Sequence, residues 1–106
     1  MKEPNHPSPE SMNISRVLHA LSDPIRLELV RQLADSGELS CGEIDLQVAK
    51  STASHHFRVL REAGVIRMTP RGTQYINSIR REDLENRFPN VLESVLSSFL
   101  NENTAN

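Results

Sequence analysis

At Gly64 the spacing of apolar residues changes from a helical period to strict alternation, and no other feature of the sequence constrains the fold as strongly. Before it, Ala53, His56, Phe57, Leu60 and Ala63 fall within one arc of about 120° on a helix, while Ser51, Ser54, His55 and Arg58 fall within an opposite arc of about 100°. After it, Val65-Ile66-Arg67-Met68-Thr69 and Gln74-Tyr75-Ile76-Asn77-Ser78-Ile79 alternate as two strands. Pro70-Arg71-Gly72-Thr73 joins them, with Gly72 free to take positive φ and Arg71 at the tip. A helix that enters a DNA major groove needs a compact polar face, because short hydroxyls and imidazoles reach phosphates and base edges without holding the backbone away. An Arg-tipped hairpin directly behind such a helix is a wing, suited to a phosphate or a minor groove. Periodicity alone also fits an ordinary amphipathic surface helix, so the flanking sequence has to decide.

Residues 1–10, MKEPNHPSPE, hold three prolines and almost no apolar side chain, which predicts a disordered tail in which His6 has no evident partner. Met12, Ile14, Val17, Leu18 and Leu21 recur at helical spacing, giving a first helix with Ser11 as its N-cap. Asp23-Pro24 is a cap-then-proline start, and Ile25, Leu29, Val30 and Leu33 line a second helix that stops near Ser36-Gly37. Ser40-Cys41-Gly42-Glu43 fits a capping box and opens a short third helix with Ile44 and Val48 facing inward. Val48-Ala49-Lys50 then leads to Ser51, the expected cap of the fourth helix, so the pair reads as a helix-turn-helix. Residues 80–87, RREDLENR, predict a short turn of helix, and Phe88-Pro89 opens a last one. In that last helix Phe88, Val91, Leu92, Val95, Leu96, Phe99 and Leu100 form an apolar stripe too broad for a lone helix to hide, which calls for a partner surface.

The expected architecture is mainly α with a small β-hairpin, a winged helix-turn-helix of order α-α-α-α-β-β-α. It comprises a tail over 1–10, one DNA-binding domain over 11–101 with dimerisation helices at both ends, and a frayed end over 102–106. One domain suits 106 residues, and 37% apolar content without Trp suits a modest helical core. No apolar run approaches the roughly 20 residues that span a bilayer, and the polar N-terminus lacks a signal-peptide core, so a cytoplasmic protein without membrane contact is expected. The net charge of −2 conceals a split: residues 50–81 carry seven basic residues (Lys50, Arg58, Arg61, Arg67, Arg71, Arg80, Arg81) and one acid, a local +6 that leaves −8 elsewhere.

The ordered set Ala20-Leu21-Ser22-Asp23-Pro24-Ile25-Arg26-Leu27, Gly37-Glu38-Leu39-Ser40, the run Ser51-Thr52-Ala53-Ser54-His55-His56-Phe57-Arg58-Val59-Leu60-Arg61-Glu62-Ala63-Gly64-Val65-Ile66 and the Arg71-Gly72 wing resembles the ArsR-type winged-helix repressors, the bacterial metal-responsive family and its metal-independent relatives. The resemblance spans about residues 12–100. It implies a homodimer through the first and last helices, operator binding through Ser51, Ser54 and His55, and repression relieved by a signal that is not legible here. Metal-sensing members carry two cysteines around the start of the third helix or a His/Asp set in the last one. Here the corresponding Glu38–Ile44 stretch has Cys41 alone and the last helix has no His, so the resemblance is to the metal-independent branch. Soft metals want several thiolates and zinc about four ligands, and the adjacent His55 and His56 point about 100° apart; no metal and no cofactor are expected. Cys41 can be weighed as an oxidisable switch in the first turn of a helix, but a small, semi-buried structural thiol is the more common fate.

Double-stranded DNA is the expected partner, contacted by Lys50, Ser51, Thr52, Ser54, His55, Arg58, Arg71 and Thr73. The expected self-contact uses Ile14, Val17, Leu18, Phe88, Val91, Leu92, Val95, Leu96 and Phe99. An enzyme finds no support, since there is no glycine-rich phosphate loop, nucleophile elbow or catalytic set. The competing reading is a winged helix used only for protein contacts, its basic segment meeting an acidic partner.

Overall fold

The computed structural model describes residues 1–104. In order these hold helix α1 (Ile14–Ala20), helix α2 (Pro24–Ser36), strand β1 (Glu38–Ser40), helix α3 (Lys50–Ala63), strands β2 (Ile66–Arg71) and β3 (Gln74–Ile79), and helices α4 (Arg81–Arg87) and α5 (Val91–Thr104). The strands form an antiparallel sheet of order β1-β3-β2. The architecture is a winged helix-turn-helix, mainly helical, as expected, with three departures in its element order.

The first is at the expected third helix. The capping box at Ser40 and Glu43 is present, with the Ser40 amide donating to Glu43 Oε1 at 2.8 Å, but it opens only a 3-10 turn over Cys41–Glu43. The side chain of Gln32 on α2 accepts from the Asp45 amide at 3.2 Å and donates to the Asp45 carbonyl at 2.8 Å. Gln47 takes positive φ and donates its amide to Asp45 Oδ1. These bonds satisfy the Asp45 amide and carbonyl and the Gln47 amide without a helical ladder, and the chain runs irregularly to Ala49 with Ile44 buried as its anchor. Val48 is only half-buried.

The second departure is β1, three residues too short to show a period, which pairs Leu39 with Asn77 and covers one edge of the hairpin. The third concerns the order alone: residues 80–87 predict a short turn of helix, and Arg81–Arg87 form it as the two-turn α4, which the expected order α-α-α-α-β-β-α left out. Helix starts also move. Asn13 caps α1 by accepting from the Arg16 amide, where Ser11 was expected, and α5 begins at Val91 after Asn90 turns the chain with φ +67°. Residues 102–104 continue α5; the last two residues of the expected frayed end lie outside the described segment.

The start of α2 behaves as the sequence predicts: Asp23 Oδ1 accepts from the Ile25 and Arg26 amides at 2.8 and 3.1 Å, with Pro24 at the first helical position. At the end of α3, the Val65 amide reaches the Leu60 carbonyl and the Gly64 amide the Arg61 carbonyl, a Schellman closure that requires Gly64 at φ +91°. This turn aims β2 back along α3. Val17 and Ala20 of α1, Leu29, Val30 and Leu33 of α2, Phe57 and Leu60 of α3, Val65, Ile66 and Met68 at the wing, Leu84 of α4 and Leu92 and Leu96 of α5 close one core. The N-terminal segment departs from the expected tail. Tyr75, Arg61, Met68 and Arg80 all donate hydrogen bonds to residues 2–7, and His6, expected to lack a partner, accepts the Met68 amide at 2.9 Å.

Candidate nucleic-acid interface

Helix α3 divides as its period demands, with His56, Phe57, Leu60 and Ala63 buried and Lys50, Ser51, Thr52, Ser54, His55 and Arg58 exposed along the other face. It begins one residue earlier than expected, at Lys50, so Ser51 lies inside the first turn. Ala49 occupies the N-cap and offers no side-chain bond. The amides of the first turn are therefore left without a side-chain cap.

In the wing, Gly72 and Thr73 form a two-residue turn between Arg71 and Gln74, and only Gly72 has positive φ, at +63°. That pattern matches a type II′ hairpin turn, whose twist suits the strands. Arg71 and Thr73 are exposed at this tip, and the nearest acid to Arg71 is Glu38 on β1, 3.7 Å away and itself exposed, so the pair contributes little. Between α3 and the wing lies a concavity of about 640 Å³ lined by Lys50, Ser54, Arg58 and Arg61 from the helix and Thr73 and Tyr75 from the hairpin. Of the expected contact residues, Lys50, Ser54, Arg58 and Thr73 line this open groove, while Ser51, Thr52 and His55 lie on the exposed helix face and Arg71 at the hairpin tip, outside its lining.

The basic run does not form one face. Arg80 is buried, its guanidinium held by Asp83 Oδ2 at 2.9 and 3.0 Å and by the Pro7 carbonyl, and Arg81 pairs with Glu93. Lys50 and Arg58 are exposed and make no ion pair among the described residues. Arg58 Nη2 lies 3.4 Å from His55 Nδ1, holding the two side chains side by side on the outer face.

His56 carries the helix inward, as an edge-of-core histidine with a structural hydrogen bond. Arg26 Nη1 sits 3.2 Å from His56 Nδ1 while its other nitrogens donate to the Ala20 and His19 carbonyls, so one buried guanidinium ties α1, α2 and α3 together. Arginine only donates, so Nδ1 accepts and the neutral ring carries its proton on Nε2. Burial lowers the His56 pKa and Arg26 and His55 lower it further, against the opposing pull of Asp23. In Asp23, burial raises the pKa but the Arg26 and Ile25 amides and the Arg26 charge outweigh it and lower it overall. The sign follows from linkage: below the ordinary histidine value of about 6.5 the unfolded chain takes up a proton that the folded chain resists, so stability falls with pH there. Thermal unfolding midpoints should therefore drop from pH 7 to pH 5, and His56→Gln should flatten the drop, with His6, also lowered by burial and by Arg67, and toward the acid end the lowered Asp23, Glu28 and Glu43 carboxylates contributing to the remainder. An unchanged slope in His56→Gln would contradict the assignment.

Cys41 is half-buried, and its sulfur accepts from Asn77 Nδ2 at 3.3 Å. Asn77, fully buried in the central strand, also donates to the Leu39 carbonyl and is a structural residue that periodicity alone does not single out. Among the described residues no three His, Cys, Asp or Glu side chains cluster where they could share a metal ion.

The self-contact set divides. Val17, Leu92 and Leu96 are already covered by the chain's own core, so they do not await a partner. Phe88, Val91, Val95 and Phe99 are half-buried, Phe88 beneath the Arg87 guanidinium at 5.6 Å. Ile14 and Leu18, one turn apart on α1, and Leu100 on α5 remain exposed.

A helix-turn-helix domain model matches residues 21–69. An HTH-type transcriptional regulator of Bacillus subtilis, YceK, is 42% identical over 86 residues, covering 76% of this chain and 84% of that protein. The crystal structure of the transcriptional repressor BigR from Xylella fastidiosa superposes with a TM-score of 0.57 at 30% identity, over 70% of this chain and 84% of that one. That of an ArsR family transcriptional regulator shares the fold over 95% of this chain and 94% of its own, with a TM-score of 0.61 at 20% identity. The chain belongs to the ArsR-type helix-turn-helix transcriptional regulators. Its class binds double-stranded DNA and is not enzymatic. No helix among the described residues is long and apolar enough to cross a membrane.

Proposed function

We propose that this protein is a cytoplasmic, homodimeric repressor that binds a palindromic operator without a metal or other cofactor. The observation that carries the reading is the groove between α3 and the wing. Exposed Lys50, Ser54 and Arg58 line one wall and Thr73 the other, with Ser51, Thr52 and His55 on the adjoining helix face and Arg71 at the hairpin tip. Ser51, Ser54 and His55 read base edges; Lys50, Thr52, Arg58 and Thr73 hold backbone; Arg71 takes a phosphate or a narrowed minor groove. The relative BigR, named a transcriptional repressor, supports the direction of regulation. The exposed Ile14, Leu18 and Leu100 support a self-contact, because a water-exposed apolar pair one helical turn apart is covered most simply by a second copy.

Ser54→Ala and His55→Ala are each expected to weaken operator binding by about 1 to 3 kcal/mol and to relax base preference. Arg71→Ala should instead lower affinity on all sequences and flatten the log K against log salt slope by about one unit. The measurement is a salt series on operator and random duplex; equal losses on both for all three variants would contradict the assignment. Binding to an acidic protein with no salt-dependent shift of duplex DNA would favour the protein-contact alternative.

A further inference from the structure

We infer that Arg61, Arg67 and Tyr75 form a seat for backbone phosphate beside the proposed DNA-reading face, and that residues 2–6 occupy this seat in the free protein as an internal competitor. The inference rests on the DNA-binding reading above. The N-terminal segment crosses from α4 to the wing along the open edge of β2, and Pro4 lies in the wall of the same groove as Ser54 and Arg58. Its contacts all run in one direction. Tyr75 donates its hydroxyl to the Lys2 carbonyl at 2.9 Å, Arg61 donates to the Asn5 carbonyl, and the Met68 amide donates to His6 Nε2 at 2.9 Å. Arg67 Nη1 lies 3.6 Å from the Glu3 carboxylate. The domain supplies every donor and the segment every acceptor, carrying its one carboxylate to a guanidinium.

A nucleic-acid strand is also a row of acceptors carrying negative charge, so the same donors suit phosphate oxygens. Two of them, Arg61 and Tyr75, line the groove that the proposed DNA contacts surround, and a duplex seated there would meet the segment first. The competitor is built to yield. Glu3 and Arg67 are both substantially exposed, a pairing worth little in water, and His6 accepts only as the neutral ring. Burial, Arg67, Arg61 and Arg80 favour that neutral form and only Glu3, 3.9 Å from Nδ1, opposes it, so the His6 contact is the firmer one and the exposed Glu3 pair the one that yields first. Pro7, by contrast, is held through its carbonyl by buried Arg80, which fixes the point about which residues 2–6 swing away.

The test uses full-length protein and a short duplex pool of random sequence. Glu3→Gln combined with His6→Ala should raise affinity up to about fivefold, the scale of one exposed ion pair. Arg67→Gln should lower it and reduce the salt slope by about one. Glu10→Gln, the same charge change outside these contacts, should leave affinity unchanged. In hydrogen exchange, the Met68 amide should be protected in the free protein and exchange faster when DNA saturates it. Wild-type binding with no gain in the double variant, an equal gain in Glu10→Gln, or a Met68 amide equally protected in the complex would overturn the competitor while leaving the DNA reading intact. Failure of wild-type and double variant alike to bind duplex would overturn both.

Discussion

Gly64→Ala is expected to destabilise the domain by about 2 to 5 kcal/mol, a large share of the roughly 5 to 15 kcal/mol that holds a domain of this size together. Two costs combine. Gly64 sits at φ +91°, where a Cβ meets the following carbonyl at about 1 to 2 kcal/mol. That Cβ would also lie 2.8 Å from the Cγ and sulfur of Met12, a buried side chain that must shift to admit it; overpacking of this kind costs about 1 to 3 kcal/mol. Truncating Met12 separates the two costs: in a Met12→Ala background the Cβ of Gly64→Ala loses its close neighbour and should cost only the first. Urea denaturation of the wild type, both single variants and the double variant gives the comparison, and a Gly64→Ala loss as large in the Met12→Ala background as in the wild type would refute the Met12 contact. Because Gly64 aims β2 along α3, the variant tests the joint between α3 and the wing.

Leu18→Glu is expected to abolish operator discrimination, a loss of about 10³ or more in specific affinity, while leaving the subunit folded. Leu18 is 47% exposed, so a carboxylate there stays hydrated in the monomer and is desolvated only if a second copy covers it. A single helix-turn-helix reads a few base pairs; two must stand about 34 Å apart to meet successive major grooves, a register that a two-fold dimer supplies. The same substitution at Leu96, 6% exposed within the chain's own core, would bury an unpaired charge and unfold the subunit instead. Sedimentation, circular dichroism and operator binding separate the two cases. A Leu18→Glu protein that stays dimeric, or that is monomeric yet binds operator like the wild type, would exclude α1 as the required interface.

Much of this was legible because it rests on local chemistry. The Asp23-Pro24 start of α2, the polar and apolar arcs of α3, the Gly64 stop and the Gly72 turn are each set by a few neighbouring residues, and they appear where the residues predict them. What escaped depends on partners distant in sequence. The capping box at Ser40 predicts a helix, and only the Gln32 amide reaching Asp45 from another helix shows why the chain stays irregular. Arg80 counts as a surface cation by sequence and is buried because Asp83 and Pro7 meet it there. The last helix shows a seven-residue stripe, but periodicity does not say which side chains α2 and α4 already cover; Leu92 and Leu96 belong to the core and Leu100 does not. The proline-rich start reads as uncommitted chain because carbonyl acceptors carry no sequence signature.

Selection of bound sequences from a random duplex pool by the wild-type protein tests the central claim most directly. A dimeric reader with two symmetry-related α3 helices should recover an inverted repeat whose half-site centres lie about 10 to 10.5 base pairs, or a multiple, apart. The repeat should degenerate at particular base pairs in Ser54→Ala and His55→Ala but not in Arg71→Ala. Recovery of no consensus, or of a single unrepeated half-site, would contradict the account.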